Sequence, residues 1–171
     1  MNSGNANACT GERGLDDARA MATEAGRVLG VAGEEMLVLS TGIIGEFLPL
    51  AKVSAGIAAA AASLGAGDAA AVSAARGMMT TDTRPKLAGK TFAAAGSSYT
   101  VFGMAKGAAM IGPKLATMLG VVLVDAAIEP ADAQRLLVEA VEETFNCVSV
   151  DGHMSTNDTV LALANGRAGN T

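Results

Sequence analysis

The spacing of hydrophobic and polar residues along the chain predicts helices that alternate with short strands. Apolar residues recur every three or four positions over 15–29, which is typical of an amphipathic helix, and Gly30 is suited to end it. The Ala-rich stretch 49–64 has the same spacing, and a shorter helix is predicted over 68–76 with Asp68 as its cap. The apolar face of the first helix is predicted to consist of Leu15, Ala18, Ala22, Ala25 and Leu29, with Asp17 among the polar residues opposite.

Short apolar runs between the helices predict strands. The run 36–40 is typical of a buried strand, and 117–125 is rich in β-branched residues and is predicted to be a central strand. The segments 87–94 and 99–105 flank a Gly-Ser-Ser turn at 96–98, which predicts a β-hairpin. Two further strands are predicted over 78–83 and 147–151. A helix is predicted to begin at Pro130, with Leu137, Val141 and Phe145 on one face. A short helix is predicted to follow Asn157-Asp158 and to end at Gly166.

This order of elements indicates an α/β fold. Helices and strands interleave, but the hairpin argues against a purely parallel arrangement, so we expect a layered α+β structure with mixed sheets and flanking helices. The chain contains neither an internal repeat nor a low-complexity linker, and a single domain is predicted over 1–171.

Composition excludes several classes of protein. Half of the 171 residues are apolar and 17% are charged, which excludes an intrinsically disordered chain. The net charge of −5 and the low aromatic content, 3%, argue against a nucleic-acid partner. The N-terminus lacks the features of a signal peptide, and the weakly polar stretch 42–67 contains charges and Pro49, so no membrane partner is expected and a cytoplasmic location is predicted.

The cysteines and the histidine predict neither a disulfide framework nor a metal site. Cys9 and Cys147 are far apart in the sequence and are expected to be buried small apolar residues in a reducing compartment. His153 is the only histidine and is expected in an exposed loop, so no metal cofactor is predicted.

Several short motifs occur in a fixed order along the chain. They are NSGNANACTG at 2–11, GLDDA at 14–18, STGIIG at 40–45, TTDT at 80–83, KG at 106–107, MI at 110–111, ATML at 116–119, DG at 151–152 and STNDT at 155–159. Over nearly all of its residues the chain resembles the ornithine acetyltransferase / glutamate N-acetyltransferase family of arginine biosynthesis. The matched region is an internal portion of the family's sequences, incomplete at both ends.

The resemblance implies an N-terminal-nucleophile-like enzyme of the DmpA/ornithine-acetyltransferase fold that cleaves itself between Ala116 and Thr117. The products would be an α-chain part, 1–116, and a β-chain part, 117–171. Thr117 would then carry a free α-amino group, whose pKa of about 7.7–8 suits it to accept a proton from the Thr117 hydroxyl at neutral pH.

By the same resemblance, Thr117 accepts the acetyl group of N-acetylornithine and passes it to glutamate. Thr41 and Gly42 match the pair assigned to the oxyanion hole, where one donor is typically worth about 2.7–4 kcal/mol. Thr80, Lys106 and Thr117 match substrate-binding positions, and a lysine is chemically suited to bind a carboxylate. No bound cofactor is implied, acetyl-CoA is a further donor in some family members, and the full-length family suggests a heterotetramer of two α and two β chains.

Structural explanations of these residues remain open beside the catalytic ones. Thr117 at the start of an apolar strand reflects β-propensity in most proteins, and Lys106 beside a glycine is typical of a solvated turn. Thr41-Gly42 fits an ordinary strand exit, and Thr80 lies in a cluster that suits capping. The chain also departs from the family pattern at Ala108, Ala109 and Lys114.

Two further functions therefore stand beside the acetyltransferase. One is an aminopeptidase or amidase of the same fold, which would use a self-released nucleophile to hydrolyse an amide. The other is an inactive fragment that serves as a binding or assembly module.

Overall fold

The computed structural model of the chain describes residues 1–112 and 118–170. These residues form two compact units, Met1–Thr80 and Thr81–Thr171. The single domain over 1–171 stays a prediction. Within the described ranges, no helix is both long enough and apolar enough to cross a membrane.

The first unit contains a small parallel sheet and three helices. Strand β1 spans Asn2–Asn5 and pairs in parallel with β2, Ser40–Ile43. The helices are α1, Gly11–Leu29, α2, Leu50–Ala62, and α3, Asp68–Gly77, and a short 3₁₀ helix spans Gly33–Glu35.

Helix α1 confirms the predicted helix and its end but not the predicted face. Gly30 adopts a left-handed conformation with φ +74°, and its N–H donates to the carbonyl of Gly26. The buried residues of α1 are Gly14, Asp17, Met21 and Gly26, whereas Leu15 and Leu29 are 48% and 45% exposed. The helix packs closely through its glycines: a Cβ on Gly26 would lie 2.7 Å from the carbonyl oxygen of Val31. A count of apolar side chains cannot detect such a face.

Three further predictions for this unit are wrong. The strand predicted over 36–40 is shifted, because β2 begins only at Ser40, where backbone pairing with the polar strand β1 is available. Asp68 is the first residue of α3 rather than its cap, and the cap position is Gly67, which has φ +83°. Residues 78–83, all of which the structure describes, form a turn and bends instead of a strand.

The second unit is built on a mixed sheet of four strands. These are β3, Lys86–Ala94, β4, Ser97–Lys106, β5, Leu119–Val124, and β6, Thr159–Ala164, in the order β3-β4-β5-β6. The first two pairings are antiparallel and the third is parallel. The predicted hairpin and mixed sheet are confirmed. The turn lies at Ala95-Gly96, both with positive φ, as tight hairpins require.

Helix α4, Pro130–Glu143, packs against this sheet. Its predicted face is confirmed, since Leu137, Val141 and Phe145 line an apolar cleft together with Val122 of β5.

The C-terminal predictions are less accurate. The predicted strand over 147–151 is absent from these described residues, and 159–164 form strand β6 rather than a helix. A short apolar run has no period that separates the two, and pairing with β5 decides in favour of a strand. Cys9 and Cys147 are both exposed, so their predicted burial is wrong.

Replacement of Gly42 by alanine is expected to disrupt the pairing of β1 and β2. A Cβ at Gly42 would lie 2.2 Å from the carbonyl carbon of Gly4, and the φ of Gly42 is +136°. We expect Gly42→Ala to lower the free energy of unfolding by about 2–4 kcal/mol, measured by urea denaturation. Gly56→Ala on α2 is the matched control, because its Cβ would meet no atom within 4 Å and alanine favours a helix. Equal stability of the two variants would contradict this account.

Candidate functional site

Thr41 and Gly42 lie in the middle of β2, where the two strands of the first unit approach closely. Thr41 is only 3% exposed and lies opposite Ser3 in the strand register, while Gly42 lies opposite Gly4. The absence of a side chain at Gly42 is what allows the β1 backbone to come this near. The predicted oxyanion residues are therefore held on a fixed backbone rather than in an open loop.

Asparagine side chains of β1 fix the backbone around this pair. The hydroxyl of Ser40 donates to Oδ1 of Asn2 at 2.6 Å. Nδ2 of Asn5 donates to the carbonyl oxygens of Glu46 and Phe47, both at 3.1 Å, and so anchors the loop that follows β2. Thr80 is the third predicted site residue of this unit. It is the last residue of the unit and is exposed.

Lys106 is the predicted site residue that the second unit buries. It ends β4, is 2% exposed, and lies opposite Leu119, the first residue of β5, in the antiparallel register. The sheet therefore places a buried lysine beside a strand that begins two residues after Thr117. Ala116 and Thr117 themselves lie outside the described residues.

Burial and three other ionisable groups within this unit affect the pKa of Lys106. Burial lowers the pKa of Lys106, the carboxylates of Asp82 and Asp158 oppose that shift, and the neighbouring ammonium of Lys86 adds to it. Lys106 therefore lies in a cluster with two carboxylates and a second ammonium group.

Asp82 connects this cluster to the backbone. Its side chain is fully buried, forms an ion pair with Lys86, and accepts a hydrogen bond from the N–H of Gly107 at 2.7 Å. The carboxylate thus holds the residue that directly follows Lys106. Such a buried carboxylate is stable only because cationic and backbone donors surround it.

Asp158 also interacts both with the charge of Lys106 and with backbone N–H groups. Its Oδ1 accepts the N–H of Met118 at 2.7 Å, and its Oδ2 accepts the N–H of Ser155 at 3.3 Å. Burial raises the pKa of Asp158, and these two hydrogen bonds and the charge of Lys106 oppose the rise.

The sequence prediction assigned no catalytic or binding role to Asp82 or Asp158, although both lie within the motifs TTDT and STNDT. An aspartate in a polar turn usually caps or bends the chain, so its type carried no signal of burial. The motif positions were the one signal that could have identified them.

His153 is exposed, as predicted. Among residues 1–112 and 118–170, no three His, Cys, Asp or Glu side chains form a group that could hold a metal ion.

The sequence matches one protein family along its full length. The model of the family described as "ArgJ family" matches residues 1–171. Proteins described as arginine biosynthesis bifunctional protein ArgJ are 48% identical in Geobacter sulfurreducens and 53% identical in Symbiobacterium thermophilum, each over 99% of this chain. The chain spans 43% and 42% of the length of those relatives.

Solved structures of similar proteins support the fold. The arginine biosynthesis bifunctional protein of Bacillus halodurans has a TM-score of 0.61 and 40% identity, covering 66% of this chain and 58% of its own. The ornithine acetyltransferase of Mycobacterium tuberculosis, solved in complex with ornithine, has a TM-score of 0.57 and 37% identity, covering 66% and 60%. The α/β fold with mixed sheets and flanking helices is thereby confirmed.

The burial of Lys106 predicts a pH-dependent contribution to stability. Its pKa is lower in the folded state than the ordinary value of 10.5, so between these two values the unfolded chain binds more protons. The free energy of unfolding of the parent should therefore rise with pH in that window relative to Lys106→Met. Urea unfolding at several pH values up to 10.5 measures the difference.

Lys90→Met is the matched control, because Lys90 lies on β3, where every residue is exposed. The difference in stability between the parent and this control should change less with pH than the difference between the parent and Lys106→Met. Parallel stability curves for the parent and Lys106→Met would contradict the predicted cost of burying the charge.

Proposed function

Because the chain belongs to the ArgJ family, we propose that the protein transfers an acetyl group from N-acetylornithine to glutamate. The observation that carries the proposal is the burial of Lys106 at the end of β4. Lys106 lies opposite Leu119, which begins β5 two residues after Thr117. By the resemblance, Lys106 matches a substrate-binding position, and a lysine in a solvated surface turn would not be buried in this way.

The similar proteins support this choice over the two alternatives. The relatives described above are named for arginine biosynthesis, and one solved relative contains ornithine. An aminopeptidase of the same fold has no comparable support among these relatives. The inactive fragment remains an outcome of the experiment below.

The first proposed step is self-cleavage before Thr117. The Thr117 hydroxyl attacks the carbonyl carbon of Ala116, the C–N bond breaks, and the acyl group moves from nitrogen to oxygen. Water then hydrolyses the ester, which leaves a carboxylate on Ala116 and a free α-amino group on Thr117. That amino group accepts the proton of its own hydroxyl in later turnovers.

The second proposed step is acyl transfer through an acetyl-threonine ester. Thr117 Oγ1 attacks the acetyl carbonyl of N-acetylornithine, the amide C–N bond breaks, and ornithine leaves with the proton held by the α-amino group. Glutamate then attacks the ester through its amino group, giving N-acetylglutamate and restoring the hydroxyl. Thr41 and Gly42 stabilise the oxyanion of each tetrahedral intermediate, and Thr80 and Lys106 bind substrate.

Three further properties belong to the same proposal. Acetyl-CoA is a second donor, the cleaved chains assemble as a heterotetramer of two α and two β chains, and the location is cytoplasmic. The similar protein of Meyerozyma guilliermondii is described as mitochondrial.

Substitution of Thr117 tests both steps. Intact-mass measurement of the freshly purified parent should find the pieces 1–116 and 117–171, whereas Thr117→Ala should stay unbroken because it lacks the hydroxyl. Thr117→Ser keeps the hydroxyl and should still cleave. With N-acetylornithine and glutamate, the parent should produce equal amounts of ornithine and N-acetylglutamate.

Thr91→Ala is the control, because the Thr91 hydroxyl lies on the exposed strand β3 beside that of Thr100 at 3.2 Å. It should cleave and transfer like the parent. Release of ornithine without N-acetylglutamate would favour the amidase, and a parent chain that neither cleaves nor transfers would favour the inactive fragment.

A further inference from the structure

The described residues on both sides of 113–117 are bonded to one later segment of the chain. Residues 110–112 precede these five positions and Met118 follows them, and each side contacts the segment 150–159. The proposed scissile bond lies between the two anchored sides.

Asp151 anchors the upstream side through its carboxylate. Oδ2 accepts the N–H of Met110 at 2.7 Å, and Oδ1 accepts the N–H of Ile111 at 2.9 Å. The φ of Met110 is +55°, a conformation that costs a non-glycine residue about 1–2 kcal/mol. The hydrogen bonds to Asp151 compensate part of that cost and so hold the backbone in an unusual direction.

Backbone contacts strengthen the upstream anchor. The carbonyl oxygen of Ile111 accepts the N–H groups of Val150 at 2.7 Å, Asp151 at 3.1 Å and Gly152 at 3.2 Å. The next residue, Gly112, lies so close to the same loop that a Cβ there would be 2.8 Å from the carbonyl carbon of Gly152.

Asp158 anchors the downstream side. Oδ1 of Asp158 accepts the N–H of Met118 at 2.7 Å, and the carbonyl oxygen of Met118 accepts the N–H of Thr159 at 3.0 Å. The N–H of Met118 belongs to the peptide bond that joins it to Thr117. The carboxylate therefore restrains a group that is covalently one bond from the carbonyl of the proposed nucleophile.

We propose that Asp158 is a positioning residue for Thr117, and that Asp151 holds the opposite side of the scissile bond during self-cleavage. The proposal rests on the proposed function. The two aspartates differ in when they act: Met118 stays attached to Thr117 after cleavage, whereas residues 110–111 belong to the other chain. Asp158 consequently serves both cleavage and acetyl transfer, and Asp151 serves cleavage.

The experiment compares Asp158→Ala, Asp158→Asn and Asp151→Ala with the parent. Asparagine keeps an oxygen that can accept the N–H of Met118 but removes the charge beside Lys106, whereas alanine removes both. Cleavage is followed as the mass of the intact chain against time, and kcat and KM are measured on fully cleaved enzyme. Asp132→Asn on α4 is the control, because Asp132 forms only an exposed ion pair with Arg135.

Asp158→Ala should cleave at least about tenfold more slowly and lower kcat by about tenfold, because small misplacement of a nucleophile has effects of that order or larger. Because both substitutions remove the charge beside Lys106, Asp158→Ala and Asp158→Asn should change KM equally. Asp158→Asn should nevertheless restore both rates to within about threefold of the parent. Asp151→Ala should slow cleavage about tenfold or more but leave kcat of the cleaved enzyme near that of the parent.

Other outcomes overturn the proposal. Parent-like rates in Asp158→Ala would remove the positioning role, and an equal loss in Asp158→Asn would assign the effect to charge instead. If Asp158→Ala does not fold, Asp151→Ala decides, since an equal loss of cleavage and kcat would indicate a merely structural loop. A parent that does not cleave overturns the proposed function as well, whereas a parent that cleaves beside unaffected variants overturns this inference alone.

Discussion

The removal of the Lys106 ammonium group from water is the constraint on which the second unit depends. A lysine that is 2% exposed loses most of its hydration, and an isolated buried ammonium would be too costly to retain its charge. The folded chain brings the carboxylates of Asp82 and Asp158 near it from two different segments. Lys106 pairs with Leu119 in the register of β4 and β5, and this pairing fixes the position of the lysine in the sheet.

The two compensating carboxylates also organise the backbone around the proposed scissile bond. Asp82 accepts the N–H of Gly107, directly after the lysine, and Asp158 accepts the N–H of Met118, directly after Thr117. Electrostatic compensation and backbone placement are therefore carried out by the same side chains. In the first unit the equivalent precision comes from close backbone approach at Gly4 and Gly42 instead of from charge.

Much of the fold could be predicted from local pattern, and the failures have two physical causes. Helices α1, α2 and α4, the hairpin of β3 and β4, and the central strand β5 follow from periodicity, turn residues and β-branching, all of which are local properties. The segment 159–164 and the strand near Ser40 depend on a partner strand that is distant in sequence, and their type or limits were wrong. The buried face of α1 was wrong because Gly14 and Gly26 pack closely without any apolar side chain.

The sequence by itself determined the family, the order of the motifs and the identity of the residues proposed for the site, because these are properties of residue type and spacing. It could not determine that the buried Asp82 side chain and the half-buried Asp158 lie beside Lys106, or that Asp151 holds the backbone before the proposed scissile bond. Burial and hydrogen bonding arise between segments that are 25 to 41 positions apart along the chain. Only the tertiary structure brings such segments together, and it thereby turns ordinary turn aspartates into the framework of the candidate site.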